Sequence, residues 1–503
     1  VVSIRSLTNF LCQKQYLVPI LVFLIPLAVR SIPEVLMGPY IVGFDTMAFY
    51  VPNTLSWLHG GVNIWQYLAV APLFYVILMS TVASGVPIVI ALKVISPILL
   101  GFLGLSIYGY AKKGLKWSVA KSAFVAFLGT LYFVALRASW DQLREELGLV
   151  FLFVFLTFLI NRKEKSWKYY APISILTILV VLSHQLISVI MFGIILFTIV
   201  YELIHKDFRG SIALTMSSLP SAFFFVFINL MSVAPAGFQD YTVSAGSPLA
   251  SWLGFTSYPS MLLSEGGFFL YCFLPLLPLV LISLKRQVHF HLRVWLVLSF
   301  ILLLIPFAFV SPYRWILILT YPLAFLATDS LTWLGTIKWK RSLFTLKRLA
   351  ALYIIVSTVI LSFGYILATP QQPFGYFNPQ QLNYYSYQIP TSLLQNTISV
   401  TDCQDTYNAL QWFNDNTNTS ALLLTHSVFY SWALLTIHSH QIRDYGFDDP
   451  VQAAALAAKG GNSVYLIWWI SGQGWYNETS LPSPFQEVYH SGKIAIYNYN
   501  RVS

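Results

Sequence analysis

Charge is scarce in this sequence. Asp, Glu, Lys and Arg make up 10% of its 503 residues, where a soluble domain carries about 25%. That excludes an ordinary cytosolic enzyme. Cysteine is scarcer still, with three residues, Cys12, Cys272 and Cys403. They lie far apart and show no CxxC or Cys/His ligand spacing, so neither a disulfide framework nor a structural zinc site is expected. The sequence has no internal repeat, no low-complexity tract and no lipidation motif. It begins with Val and shows no cleavable signal; its first apolar run reads as a retained span. Aromatic residues reach 17% and hydrophobic residues 57%, which excludes disorder. What remains is a polytopic membrane protein with room for a part outside the bilayer.

Long apolar runs recur at 16–30, 87–110, 118–136, 147–160, 171–183, 186–204, 211–231, 267–284, 294–310, 313–334 and 349–368. A spanning helix needs about 20 such residues. Basic clusters separate alternate runs: Lys112, Lys113 and Lys116; Arg162, Lys163, Lys165 and Lys168; Lys206 and Arg209; Lys285, Arg286 and Arg293; Lys338, Lys340, Arg341, Lys347 and Arg348. The excess of Lys and Arg on cytoplasmic loops places these clusters inside. With Arg5, Lys14 and Lys121, about 20 of the 29 basic residues then face the cytoplasm. This accounts for the net charge of +10 without nucleic acid.

The expected fold is therefore mainly α, with about 11 transmembrane helices, the N-terminus cytoplasmic and the C-terminus extracytoplasmic. The apolar stretch 66–82 does not fit the alternation. It reads as a juxtamembrane or re-entrant helix on the outer face. The membrane part is expected over 1–369, with outer loops at 31–86, 137–146 and 232–266. Residues 370–401 form a linker. Residues 402–503 alternate helical and extended patterns and read as a small extracytoplasmic α/β domain. Strands are expected at 421–424 and 464–470, with a closing hairpin around Ser491-Gly492. Both Asn-x-Ser/Thr sequons, at Asn418 and Asn477, fall in this part.

Ionisable groups near membrane helices are costly and point to function. On the outer face they are few: Glu34, Asp45 and Tyr50 in the first loop; Arg137, Asp141, Arg144, Glu145 and Glu146 in the second; His184 at a break between spans; Glu265 after a long loop; Arg314 at the start of a late span. Each also has a structural reading. Asp45 could cap a helix, and Asp141 could complement a helix dipole. Arg314 could snorkel, and His184 could be a hydrogen-bonded packing residue. Taken together they suit transfer of a sugar from a lipid phosphate. A carboxylate takes the proton of an acceptor hydroxyl, and a guanidinium grips the departing phosphate. Asp45 is the natural base and Arg314 the natural phosphate clamp. A divalent metal held by carboxylates would also serve the phosphate.

The order of these motifs resembles the GT-C superfamily of polytopic glycosyltransferases, in particular prokaryotic and archaeal members that use polyprenyl-phosphate sugars. The match rests on Gly43-Phe44-Asp45-Thr46, Ala71-Pro72-Leu73-Phe74-Tyr75, Trp140-Asp141 through Glu146-Leu147-Gly148-Leu149, Leu182-Ser183-His184-Gln185, and Pro312-Tyr313-Arg314-Trp315 with Tyr321-Pro322. Two features depart from it: the first-loop acid is single, and His-Gln stands where the family has His-Pro. The W-W-D-Y-G signature of oligosaccharyltransferases is absent; Trp468-Trp469 continues into Ile470-Ser471.

The resemblance implies an inverting enzyme at the plasma membrane, with dolichyl- or undecaprenyl-phosphate sugar as donor and a glycan, lipid or protein as acceptor. Asp45 is then the base. Arg314, Arg137, Arg144 and His184 face the donor phosphate. Asp141, Glu145, Glu146, Tyr50 and Glu265 orient the acceptor or a metal, with Asp45 and Asp141 as ligands to Mg²⁺ or Mn²⁺. A lipid or sugar transporter and a non-catalytic assembly subunit are the rival classes. A transporter calls for inverted repeats and midplane polar residues, and the sequence shows neither.

Overall fold

The computed structural model describes residues 14–41, 43–60, 64–162, 167–230, 257–284, 289–304, 312–334, 346–369, 372, 374–377, 389, 397–446, 449–461, 463–470, 481 and 484–500. The membrane part begins with α1 (Lys14–Leu36), a π-helical turn (Thr46–Tyr50), α2 (Val51–Gly60), α3 (Ile64–Ala69), α4 (Leu73–Ala83) and α5 (Ile88–Gly109). It continues with α6 (Val119–Leu131), α7 (Phe133–Asp141), α8 (Leu143–Asn161), α9 (Trp167–Ser183), α10 (Gln185–Ile204) and α11 (Phe208–Leu230). Then come α12 (Tyr258–Phe273), α13 (Leu277–Leu284), α14 (Phe290–Leu304), α15 (Pro312–Ile318), α16 (Thr320–Leu334) and α17 (Leu346–Leu367).

Where the eleven apolar runs are described, they lie on helices. Among the described residues, six helices are long and apolar enough to cross a bilayer, or eight if two bent pairs each count as one span. Helix α8 carries Arg144, Glu145 and Glu146 in its first turn. Helices α9 and α14 are apolar over 17 and 15 described residues. The pair α6–α7 bends by 58° at Tyr132, whose backbone is extended and whose hydroxyl donates to the Cys272 carbonyl at 2.6 Å. The pair α12–α13 bends by 99° across a turn containing Pro275, which cannot continue a helix hydrogen-bond ladder. Helix α4, at 11 residues, is about 16 Å long and cannot span, in keeping with its juxtamembrane reading. The α15–α16 segment, Tyr313–Leu334, is the most buried of the six candidate spans, so Arg314 opens a central helix.

The C-terminal part is built on a five-stranded mixed sheet. Its elements are α18 (Cys403–Asn416), β1 (Leu422–Thr425), α19 (Ser427–Thr436), β2 (Gln441–Asp444), α20 (Pro450–Ala458), β3 (Val464–Trp469), β4 (Phe485–Ser491) and β5 (Ile494–Tyr499). The strand order is β2-β1-β3-β5-β4, with β2, β1 and β3 parallel and β5 antiparallel to both β3 and β4. The apolar runs of β1 and β3 suit central strands covered on both faces. The closing hairpin turns at Gly492, which has φ +52°, a region that favours glycine in tight turns. Strand β2 was not expected. It is an edge strand, and its sequence Gln-Ile-Arg-Asp carries no apolar run. Asn418 is exposed in the turn before β1. Asn477, most of the loop 232–266 and most of the linker 370–401 lie outside the described residues.

This domain shares a core with the first outer loop. Met47, Phe74 and Tyr75 cluster with Phe429, Trp432 and Trp469. Ser431 on α19 donates to the Met47 carbonyl, and Tyr40 donates to Gln404 Oε1 at 2.6 Å. The sheet domain therefore sits on the segment that follows Asp45.

The join to α19 is titratable. His426 is fully buried, and its Nδ1 caps α19 by accepting from the Val428 N–H at 3.2 Å. Burial pushes its imidazole down to about 3. An unfolded histidine titrates near about 6.5, so the neutral folded form contributes stability that is present above that pH and lost as pH falls. Asp444 works in the other direction: burial raises its carboxyl, so its contribution is present at low pH and lost as pH rises. The His426 contribution should cost the domain about 2 kcal/mol between about pH 6.5 and 5. His426→Asn keeps a capping acceptor and should flatten that slope. Thermal melts followed by tryptophan fluorescence at the two pH values check this; an unchanged slope would refute it.

Candidate active site

The first outer loop enters the site through Gly43. Its φ is +95°, and a Cβ there would lie 2.7 Å from the Trp140 carbonyl and 3.1 Å from the Asp141 Cβ. Glycine alone allows both the turn and the close approach. Asp45 follows two residues later in right-handed backbone and makes no capping hydrogen bond through its side chain. Its carboxylate is turned to Arg314 instead, with Oδ2 3.6 Å from Nη2.

Arg314 joins two loops. Its Nη1 donates to Glu145 Oε1 at 3.0 Å, so one guanidinium lies between two carboxylates that are 100 positions apart in sequence. Its side chain stays 24% exposed and that of Asp45 19%, while that of Glu145 is 3% exposed. Asp45 and Arg314 thus present the open face, and Glu145 is the buried anchor.

His184 completes the anchor. It lies in extended backbone at the α9–α10 break and caps α10, its Nδ1 accepting from the Leu186 N–H at 3.2 Å. That bond assigns the proton to Nε2, which points to Glu145 Oε1 at 3.5 Å. Arg137 pairs with Asp141 one turn further along α7 and lies close enough to Asp45 to feel its charge. Three carboxylates, Asp45, Asp141 and Glu145, thus gather near Arg137 and Arg314 at one end of the bundle.

The other expected residues take different places. The Arg144 guanidinium donates to the Val70 carbonyl and lies 5.7 Å from the Tyr75 ring centre. Its backbone N–H donates to the Tyr50 hydroxyl at 3.4 Å. It therefore pins the outer-loop helices, although its field reaches His184. Tyr50 is buried against Phe74 and Tyr75. Burial first, then the charge of Asp45, holds its hydroxyl well above the usual phenol range, so Tyr50 stays protonated. Glu146 points away from Asp45. It is buried within electrostatic reach of Arg30, and neither of its carboxylate oxygens has a hydrogen-bond partner among the described residues. Glu265 is buried on α12, which packs against α15.

Among the described residues, no three His, Cys, Asp or Glu side chains converge so as to hold a metal ion. Asp45 and Asp141 each face a guanidinium instead. Arg314 and Arg137 are the guanidiniums beside these carboxylates. The sequence reading missed Arg30 and Lys93, which lie inside apolar helical runs and give no loop motif.

Gly43→Ala tests the close approach. The added methyl meets backbone, not a flexible side chain, and the φ is unfavourable for Ala. The variant should lose about 1–3 kcal/mol of stability and most of the site's activity, read by thermal melting in detergent and by turnover. Wild-type stability and turnover would show that the loop has freedom the structure does not suggest.

No protein-family model matches the sequence, and no curated protein is similar to it. Solved structures are similar in fold. Apo ArnT from Cupriavidus metallidurans superposes with a TM-score of 0.55 at 12% identity, covering 95% of this chain and 97% of that one. The same protein bound to undecaprenyl phosphate gives 0.52 at 11% identity, with the same shares covered. The oligosaccharyltransferase of Archaeoglobus fulgidus gives 0.53 at 13% identity, covering 91% of this chain and 70% of that one. The mycobacterial arabinofuranosyltransferase AftD gives 0.55 at 12% identity over 96% of this chain, which matches 40% of that longer protein. The likeness covers 91–96% of this chain, which shares the polytopic fold of these structures.

Proposed function

We propose that the protein is an integral-membrane glycosyltransferase that moves a sugar from a polyprenyl-phosphate donor to an acceptor hydroxyl at the outer membrane face. The observation that carries this reading is the meeting of Asp45 and Arg314 on a partly open face, with Arg314 anchored by Glu145. The fold supports it. ArnT binds undecaprenyl phosphate, and two further structures of this fold belong to an oligosaccharyltransferase and an arabinofuranosyltransferase.

The reaction is an inverting displacement. The acceptor oxygen attacks the anomeric carbon and its proton passes to Asp45. The bond from that carbon to the phosphate oxygen breaks, and the lipid phosphate leaves with the electron pair. Arg314 receives the developing charge on that phosphate, with Arg137 behind it. A guanidinium held by Glu145 is already oriented, so little reorganisation accompanies bond breaking. His184 Nε2 approaches the same Glu145 oxygen that Arg314 holds, and Tyr50 walls the loop. The lipid tail lies between spans, the N-terminus is cytoplasmic, and the sheet domain faces outward beside the acceptor.

The test is sugar release or transfer from labelled dolichyl- and undecaprenyl-phosphate sugars by protein in lipid bilayers, with and without EDTA. Asp45→Asn should fold normally and lose about 10²–10⁴-fold in kcat. Arg314→Lys keeps the charge but loses the planar fork, and it should lose about 10²-fold. Full turnover by Asp45→Asn would remove it as the base. Donor movement across the bilayer without bond cleavage would favour a transporter. Activity abolished by EDTA would add a metal that the arginines do not replace.

A further inference from the structure

Helix α1 carries Arg30 in the middle of an apolar span, and its side chain is fully buried. A cation in that setting is costly unless it is well paired. Its Nη1 donates to Glu34 Oε1 at 2.6 Å, and its Nε donates to the Ser139 carbonyl at 2.9 Å. Its Nη2 reaches the Trp140 carbonyl at 3.5 Å, and the guanidinium lies 4.3 Å from the Trp140 ring centre. Lys93 on α5 steadies the far side of Glu34. It donates to the Glu34 carbonyl at 2.7 Å and lies 3.6 Å from Glu34 Oε2.

Ser139 and Trp140 are in the last turn of α7, whose final carbonyls have no partner within the helix. A cation at a helix C-terminus is favourable on both hydrogen-bonding and dipole grounds. The helix capped in this way ends at Asp141 and carries Arg137. The Trp140 carbonyl has a second neighbour, because Gly43 packs directly against it. One carbonyl is therefore reached by Arg30 and bears on the turn that leads to Asp45. The Trp140 ring is itself fixed, stacked on Tyr365 at 5.7 Å with an interplanar angle of 15°.

We infer that Arg30 is a positioning residue: by capping α7 and holding the Trp140 carbonyl, it sets the distance between the Gly43–Asp45 turn and the arginines of the site. This rests on the reading of Asp45 as base. Arg30 is far from solvent and touches no reacting atom. Its effect passes through Trp140 to Gly43, and Glu34, which it shares with Lys93, neutralises it.

The experiment uses the full chain in lipid nanodiscs, with undecaprenyl-phosphate and dolichyl-phosphate hexoses as donor probes. Arg30→Met should lower kcat by about 10²-fold, the scale of a misplacement of about 1 Å, with KM changed by less than about twofold. Amides 43–50 should exchange hydrogen faster while those of the outer sheet keep their wild-type rates. Arg30→Met alone leaves Glu34 with only the longer Lys93 contact, so its melting temperature should fall. Arg30→Met with Glu34→Gln and Lys93→Met removes the whole charge group and should recover the melting temperature and keep the low kcat. Recovery of both together, or exchange that rises uniformly along the chain, would overturn the inference and leave Arg30 a stability residue. Asp45→Asn is run beside these variants. Should it turn over normally, the base assignment fails, while the exchange pattern still decides whether Arg30 holds the turn.

Discussion

The guanidinium of Arg314 is the contact on which the site depends. It holds a buried carboxylate from the second outer loop and faces a more open carboxylate from the first. Without it, Glu145 would lose the guanidinium that donates to it and Asp45 the one it faces, leaving Arg137 as a cation near both. The helices that deliver these groups are bent or short where they do so. Helix α7 follows a 58° bend, α4 is too short to span, and α15 opens a central span. Irregular backbone near a membrane is tolerated where protein covers it, and here the sheet domain and the first outer loop supply that cover.

Much of this was legible in the sequence. Apolar runs located the long apolar helices among the described residues, because a bilayer leaves few alternatives to helices for such runs. Asp45, Arg314, Glu145 and His184 stood out for the complementary reason that a charge or imidazole beside such runs is costly without a task. Strands β1 and β3 were visible as short apolar runs, and Gly492 marked the hairpin. Hydropathy counts residues and does not register the bends at Tyr132 and Pro275. Strand β2 was missed because an edge strand has one neighbour and tolerates polar residues.

Pairings within the charge cluster were also beyond the sequence. Arg144 and Arg137 read alike there, as basic residues of one loop. In the structure Arg137 stays with Asp141 near Asp45, whereas Arg144 turns to the Val70 carbonyl and the Tyr75 ring. Glu145 and Glu146 are adjacent, yet successive residues on a helix face about 100° apart, so Glu145 meets Arg314 and Glu146 does not. Arg30 has Glu34 four positions away, but the Ser139 and Trp140 carbonyls it holds lie more than 100 positions away and are invisible in the sequence. These are tertiary facts, set by which helix faces meet.

The account holds that Arg314 is shared between Asp45 and an incoming lipid phosphate. Equilibrium binding of undecaprenyl phosphate to wild-type, Asp45→Asn and Arg314→Met proteins in nanodiscs tests this most directly. Removing the Asp45 charge frees one arm of the guanidinium and removes a like charge from the phosphate's neighbourhood. Asp45→Asn should therefore bind the lipid phosphate about tenfold more tightly, and Arg314→Met should bind it weakly. Unchanged or weaker binding by Asp45→Asn, or wild-type binding by Arg314→Met, would contradict the account.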